Sequence, residues 1–172
     1  IRDQDTANMA IQAALTGHLV LSTLHTNDAS SSLTRLHDLG VQPFLTAATI
    51  LGVLAQRLVR RLCPQCKQET SMNEQEWEHL TFDYIMEMPE TMYKAVGCET
   101  CRHTGYKGRV GIYEFMPVSL ELKSLISAHG TLNDLKVQAK KEGVEPLRIA
   151  GARKVIEGVT TLEEVLRVVP LS

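Results

Sequence analysis

The sequence lacks several features that mark common functional classes. It has no run of about 18 apolar residues and no export signal, so neither a membrane-spanning helix nor secretion is predicted. A formal net charge of -2 over 172 residues gives no general case for nucleic-acid binding. The length suits one domain, or one domain with a small appendage.

Motifs for phosphate binding and nucleophilic catalysis are also missing. The sequence contains neither G-x-x-x-x-G-K-[ST] nor G-x-G-x-x-G, the glycine loops that hold nucleotide phosphates. No Ser/His/Asp or Cys/His arrangement stands out. The first residue is Ile1 rather than methionine, from which we expect a processed product or a piece of a longer protein.

The four cysteines form two Cys-x-x-Cys pairs, and they are all the cysteines in the sequence: Cys63, Cys66, Cys98 and Cys101. Four thiolates complete a tetrahedral structural zinc site, and Gly97 can relax the backbone before the second pair. Two disulfides or four unrelated thiols are the alternatives. Zinc catalysis is disfavoured because a catalytic site keeps an open coordination position. Cysteines spaced for metal, without an export signal, favour a reducing cytoplasm.

Hydrophobic periodicity predicts helices around one buried strand in the first part of the chain. Residues 5–16 have helical spacing, and residues 18–25 suit a central, parallel, buried strand. A second helix is predicted to end at Gly40, after possible caps at residues 26–28. A third is predicted from Pro43, with an apolar stripe continuing to Leu58. This order indicates an α/β fold.

The second part is predicted to contain a metal-bound insertion, a strand and several helices. Trp77 and Leu80 indicate a short helix within the insertion between the two cysteine pairs, and residues 105–115 suit a strand. Helix starts are predicted at Thr131, Pro146 and Thr160, with the last helix stopping near Pro170.

Two histidines flank the predicted strand. His18 and His25 would lie roughly 23 Å apart on opposite faces of an extended strand, so they could not share one metal ion there. His25 would lie at the carboxyl end, where open α/β sheets bind ligands, and could contact a phosphate or position a water molecule. A structural histidine is the alternative. Arg2 and Asp3 are either catalytic or part of a salt-bridged turn.

Several motifs together resemble the secretion-superfamily ATPases, the hexameric RecA-like motors of type II secretion and type IV pilus assembly. Residues 1–3 resemble the end of the Walker B motif, and residues 16–29 resemble the family's His box. Residues 56–58, the paired cysteines, residues 108–114 and residues 158–165 also match. The resemblance covers essentially the whole chain.

The resemblance implies the C-terminal part of a RecA-like P-loop ATPase domain. Residues 1–62 would be the remainder of the ATPase core, residues 63–108 a tetracysteine zinc subdomain, and residues 109–172 a mostly helical C-terminal subdomain. The longer parent would bind ATP and Mg²⁺ and hydrolyse ATP. The Walker A motif is missing here, so the chain alone is expected to be inactive.

The family's site residues carry over by position. His18 and His25 would be catalytic His-box residues, with His25 the better candidate for contact near the γ-phosphate. Arg2, Asp3 and His25 would belong to the nucleotide site. The four cysteines would bind structural Zn²⁺.

The resemblance also implies a biological setting. The cysteine pairs favour the type II secretion or the pilus assembly ATPases over the pilus retraction ATPase, and of the two we favour type II secretion. The parent would be a cytoplasmic homo-hexamer bound to inner-membrane platform proteins, without a nucleic-acid partner. A free-standing, zinc-stabilised interaction module is the alternative function.

Overall fold

The computed structural model describes residues 1–71 and 74–169. These residues form helices α1 (Gln4–Leu15), α2 (Ala29–Asp38), α3 (Pro43–Thr49), α4 (Glu74–Thr81), α5 (Leu120–Ser127), α6 (Leu132–Lys141), α7 (Leu147–Ile156) and α8 (Leu162–Val168). The strands are β1 (Gly52–Leu62), β2 (Gln68–Thr70), β3 (Met92–Lys94) and β4 (Tyr106–Pro117), and a 3₁₀ turn covers Glu99–Cys101. Strand β1 pairs with β4, and β2 pairs antiparallel with β3. The fold is therefore α/β.

The chain divides into two compact units. Unit 1 comprises residues 1–55 and 114–145, and unit 2 comprises residues 56–113 and 146–172. The three-part division with boundaries at 62/63 and 108/109 stays a prediction. In the described part of the chain, no helix has the length and apolar character needed to cross a bilayer.

In unit 1, one hydrophobic cluster lies between α1 and the end of α2. Ala7 and Ile11 are one helical turn apart on α1, so both side chains face Leu36 and Val41. Leu24 packs against this cluster. The cluster therefore holds one end of the segment that contains the histidines.

In unit 2, the core surrounds the only tryptophan of the sequence. Trp77 of α4 is 3% exposed and packs in a cluster with Val155 of α7 and Val165 of α8. A Cβ atom on Gly151 would lie 2.4 Å from a methyl carbon of Val165, so glycine permits the close approach of α7 and α8. Trp77 fluorescence should therefore report the folding of unit 2.

Several predicted elements and caps are confirmed. Helix α1 occupies the predicted position, and Asp28 caps α2 by accepting from Ser31 N. The insertion contains α4. Thr131 and Asp134 form a reciprocal capping box at the start of α6. These elements were predictable because their capping residues and apolar spacing lie within the elements themselves.

The predicted strand at residues 18–25 is wrong. This segment has no regular secondary structure, and Leu19 and Leu21 are 76% and 88% exposed. A buried parallel strand needs hydrogen-bonded neighbours and helices over both faces. None of the strands among the described residues pairs with this segment.

The predicted continuation of the third helix is also wrong. Helix α3 ends at Thr49, and residues 52–62 form β1, where Ala55 and Val59 are buried while Leu54 and Leu58 are exposed. The apolar spacing fits a helix, but Gly52 disfavours one and pairing with β4 satisfies the backbone of a strand.

The last helix begins one residue later than predicted. Thr161, rather than Thr160, caps α8, and its side chain accepts from Glu164 N. Thr160 instead donates its hydroxyl to Arg60 O at 2.8 Å. The predicted stop near Pro170 lies outside the described residues.

Candidate functional site

The four cysteines converge within unit 2. Their sulfur atoms all lie within 4.8 Å of one another. The separations are 3.9 Å for Cys63–Cys98 and 3.8 Å for both Cys66–Cys101 and Cys98–Cys101. All four thiols are free, so the disulfide alternative does not apply. The first pair follows β1. In the second pair, Cys98 directly precedes the 3₁₀ turn and Cys101 is its last residue.

Backbone N–H groups point at two of the sulfurs. Gly97 N donates to Cys66 Sγ at 3.3 Å, and the N–H groups of Cys98 and Gly105 both donate to Cys101 Sγ at 3.2 Å. Gly97 has a φ of +114°, and a Cβ there would lie 2.7 Å from His103 O, so the turn requires glycine. These donors favour thiolates over thiols.

The donor set fits a tetrahedral metal ion. With Zn–S bonds of about 2.3 Å, sulfurs at the corners of a tetrahedron lie about 3.8 Å apart. Burial opposes ionisation of Cys101, but the N–H groups of Cys98 and Gly105, together with the Cys66 and Cys98 thiols, lower its pKa to about 6. Burial and the neighbouring thiols raise the pKa of Cys66 to about 12, so without a cation the cluster favours one thiolate rather than four. A bound metal ion would supply the positive charge that ionises the others. The four cysteines can therefore bind a metal ion such as zinc.

In unit 1, the predicted nucleotide-site segments lie side by side. Ile1 N donates to Thr23 O at 2.7 Å, which places residues 1–3 beside the segment that leads to His25. Asp3 caps α1 through its contact with Thr6 N at 2.8 Å, and that bond lowers the Asp3 pKa. Asp3 therefore has a structural function in addition to its predicted one.

The two histidines belong to different local structures. The Nδ1 atom of His18 lies 3.2 Å from Thr16 Oγ1 and 3.3 Å from Ala13 O, so His18 contacts the end of α1. His25 is exposed and lies three residues before Asp28, the cap of α2. Arg2 is also exposed. The roles predicted for His18, His25, Arg2 and Asp3 stay predictions.

The turn after His25 is held by a carboxylate from β4. Glu114 is 6% exposed, and its Oε1 accepts from Ala29 N, at the first residue of α2, at 3.0 Å. The Thr26 and Ser32 hydroxyls lie 2.7 Å apart across the same turn. Sequence reasoning missed Glu114 as a site residue. The available signal was a carboxylate on the same strand face as the buried Ile112 and Met116.

Asp28 adds a second charged contact at this helix start. Its Oδ2 lies 3.0 Å from Lys136 Nζ, and its Oδ1 accepts from Ser31 N at 2.7 Å. Burial opposes ionisation of Asp28, but the Ser31 hydrogen bonds and Lys136 hold its pKa below the usual value. Two carboxylates therefore fix the segment that follows His25.

We expect Glu114→Ala to release the start of α2. Losing this acceptor leaves the Ala29 N–H without its carboxylate, which costs about 1–3 kcal/mol. Hydrogen exchange of the Ala29 amide, measured by NMR, should accelerate by about 10- to 100-fold. The exposed Glu121→Gln is the matched control and should leave this exchange unchanged. Unaltered exchange in Glu114→Ala would contradict the assignment.

Sequence comparison decides the family. The family model described as "Type II/IV secretion system protein" matches residues 1–167. This chain belongs to that family. The match contains both the histidine segment of unit 1 and the cysteine cluster of unit 2, so the predicted family is confirmed.

Two curated relatives carry different functional names. The chain is 74% identical over 172 residues to the type IV pilus assembly ATPase TfpB of Acinetobacter baylyi, covering all of this chain and 29% of that protein. It is 50% identical over 168 residues to type II secretion system protein E of Pseudomonas aeruginosa, covering 98% of this chain and 33% of that protein. The chain therefore spans about a third of the length of these relatives.

Solved structures support the fold. The pilus retraction motor PilT with bound ADP aligns over 97% of this chain and 37% of its own, with a TM-score of 0.63 and 21% identity. The Legionella pneumophila ATPase DotB covers 96% of this chain and 35% of its own, with a TM-score of 0.59 and 18% identity. At these identities the likeness concerns the fold alone.

Proposed function

We propose that this chain is the C-terminal part of a type IV pilus assembly ATPase. The observation that carries the proposal is the 74% identity to the Acinetobacter baylyi pilus assembly ATPase over the whole chain. The sequence alone favours type II secretion. That remains the second candidate, supported by 50% identity to the Pseudomonas aeruginosa secretion protein.

The parent protein, in this proposal, is a RecA-like ATPase that hydrolyses ATP with Mg²⁺. Residues 1–3 and the segment leading to His25 lie side by side, as expected if both face one nucleotide. His25 contacts the γ-phosphate side, His18 completes the His box, and Arg2 and Asp3 close the Walker B segment. Glu114 and Asp28 position the turn beside His25.

The cysteine cluster holds a structural zinc ion in this proposal. A closed set of four sulfurs leaves no coordination position for a reacting water molecule. The parent works as a cytoplasmic homo-hexamer that engages inner-membrane platform proteins and no nucleic acid. These partners are carried over from the family.

A segment exchange tests the proposed function. This chain would replace the segment of the Acinetobacter baylyi ATPase to which it aligns, and separately that of the Pseudomonas aeruginosa secretion protein. We expect the first chimera to restore pilus assembly and the second to restore little or no secretion. The reverse outcome would favour type II secretion, and failure of both chimeras would contradict membership in either machine.

We expect the isolated 172-residue chain to show no magnesium-dependent ATP hydrolysis. The G-x-x-x-x-G-K-[ST] loop that holds the phosphates is not in this sequence, and P-loop phosphoryl transfer depends on it. Steady-state phosphate release, with the active pilus chimera as positive control, measures this directly. Turnover by the isolated chain comparable to the chimera would show that the missing loop is dispensable.

A further inference from the structure

The insertion of unit 2 exposes a group of large apolar side chains. Phe82, Ile85 and Met88 are 63%, 106% and 45% exposed, and Ile156 at the end of α7 is 42% exposed. Single exposed apolar residues are ordinary on a soluble surface, but neighbouring ones indicate a contact surface.

The backbone that presents these side chains is anchored to the core. Trp77 Nε1 donates to Met86 O at 3.3 Å, and Arg148 donates to Phe82 O. Met92, where the segment returns to β3, is 7% exposed. These hydrogen bonds hold the backbone on both sides of Ile85. The Ile85 side chain is therefore exposed by an anchored backbone.

A groove lies between this segment and α7. Its volume is about 510 Å³, within the range of roughly 300–1,000 Å³ found for ligand clefts. Its walls include Ile85, Met88, Ile156, Glu87, Glu90 and Arg153. The groove can accept apolar side chains, and two carboxylates and one guanidinium are part of its lining.

The surrounding charge selects the kind of partner. Residues 67–97 contain seven carboxylates and two lysines. The groove itself is lined by two carboxylates and the Arg153 guanidinium, so it is the acidic excess of the whole segment that favours a cationic partner over anionic lipid or nucleic acid. Cationic segments with apolar faces are common next to membrane-spanning helices, because cytoplasmic flanks are enriched in lysine and arginine.

We propose that the groove formed by Ile85, Met88 and Ile156, with its acidic surround, binds a cationic, amphipathic segment of a partner protein. Apolar side chains of the partner enter the groove, and its lysines or arginines face Glu87 and Glu90. The proposal does not depend on nucleotide binding, so it can fail while the proposed ATPase function stands.

A binding titration tests the proposal with the full 172-residue chain. The probe is a fluorescent helical peptide of about 18 leucine and lysine residues, with a leucine–glutamate peptide of equal length as the charge control. We expect the lysine peptide to bind more tightly, and its affinity to fall as salt rises. We expect Ile85→Ser/Met88→Ser to weaken binding about tenfold or more, and Glu87→Lys/Glu90→Lys to weaken it similarly.

Matched controls distinguish binding at this groove from nonspecific binding to other exposed apolar side chains. Leu120 in unit 1 is 77% exposed, and Leu120→Ser should leave the affinity unchanged. Trp77 emission verifies that each variant is folded. Equal binding by the wild-type chain and the Ile85/Met88 variant, equal binding of both peptides, or tighter binding to phosphatidylglycerol vesicles than to the lysine peptide would each overturn the proposal.

Discussion

We expect purified chain to carry about one zinc ion, and Cys101→Ser to lose the metal and unfold unit 2. Cys101 supplies one corner of the sulfur tetrahedron and accepts two backbone hydrogen bonds. Structural zinc sites contribute directly to folding, and small zinc modules unfold when the metal is removed. The loss should extend to Trp77, whose burial depends on the core of the same unit.

Metal analysis and Trp77 fluorescence check this prediction together. Zinc content should fall below about a tenth of an ion per chain, and the emission should shift to the red, in Cys101→Ser and in wild-type chain treated with a strong chelator. Thr100→Val is the matched control, because Thr100 lies in the same turn and its hydroxyl contacts Gln65 rather than the sulfurs. A metal-free chain that keeps Trp77 buried would contradict the structural role of zinc.

We expect Glu164→Gln to destabilise unit 2 by about 3 kcal/mol at neutral pH, and the effect to fade in acid. The Glu164 side chain is fully buried, and its carboxylate accepts from Arg60 N, from the Arg60 guanidinium and from Arg167. Arg60 also lies over the Tyr106 ring, with Cζ 4.0 Å from its centroid. A neutral amide cannot replace these charge-assisted bonds.

The pH window follows from the Glu164 pKa. Burial opposes its ionisation, but Arg167 and Arg60 lower the pKa from 4.5 to about 2. Because the folded-state pKa is the lower one, the stabilisation is fully present above about pH 4.5 and is lost as the pH falls toward 2. A shift of this size corresponds to about 3 kcal/mol.

The free energy of unfolding is measured for the wild-type chain and for Glu164→Gln at a series of pH values from pH 7 downward. Unfolding by urea is followed by Trp77 fluorescence, with zinc in excess. Because loss of zinc unfolds unit 2, the comparison covers only the pH values at which metal analysis shows that both chains still carry zinc. The exposed neighbour Glu163→Gln should match wild type at every pH. A wild-type-minus-variant difference that does not begin to shrink between pH 7 and the lowest pH at which zinc stays bound, near and below pH 4.5, would rule out the assigned pKa.

The cysteine site was predictable because its information is local. Each Cys-x-x-Cys pair encodes one tight turn, and Gly97 provides the backbone conformation that the second turn requires. That the two turns meet, with sulfurs at tetrahedral separations, was inferred from the number of thiols and is confirmed by their positions. Helix caps such as Asp28 and Thr131 were predictable for the same reason.

The strand assignments show where local pattern is insufficient. Residues 18–25 have the composition of a buried strand, but no described strand pairs with them. Residues 52–58 continue a helical stripe by spacing, but they pair with β4 some fifty residues later. Pairing partners decide strands, and they are distant in sequence.

The sequence by itself determined the family motifs, the two cysteine pairs and several helix starts, since these depend on residues within a few positions of one another. Only the tertiary structure decided that Glu114 holds the turn after His25 and that Glu164 joins Arg60 to Arg167. These contacts join residues 85 and 104 positions apart. The sequence around a buried glutamate does not show which distant group will donate hydrogen bonds to it, because tertiary packing determines which donors lie within reach.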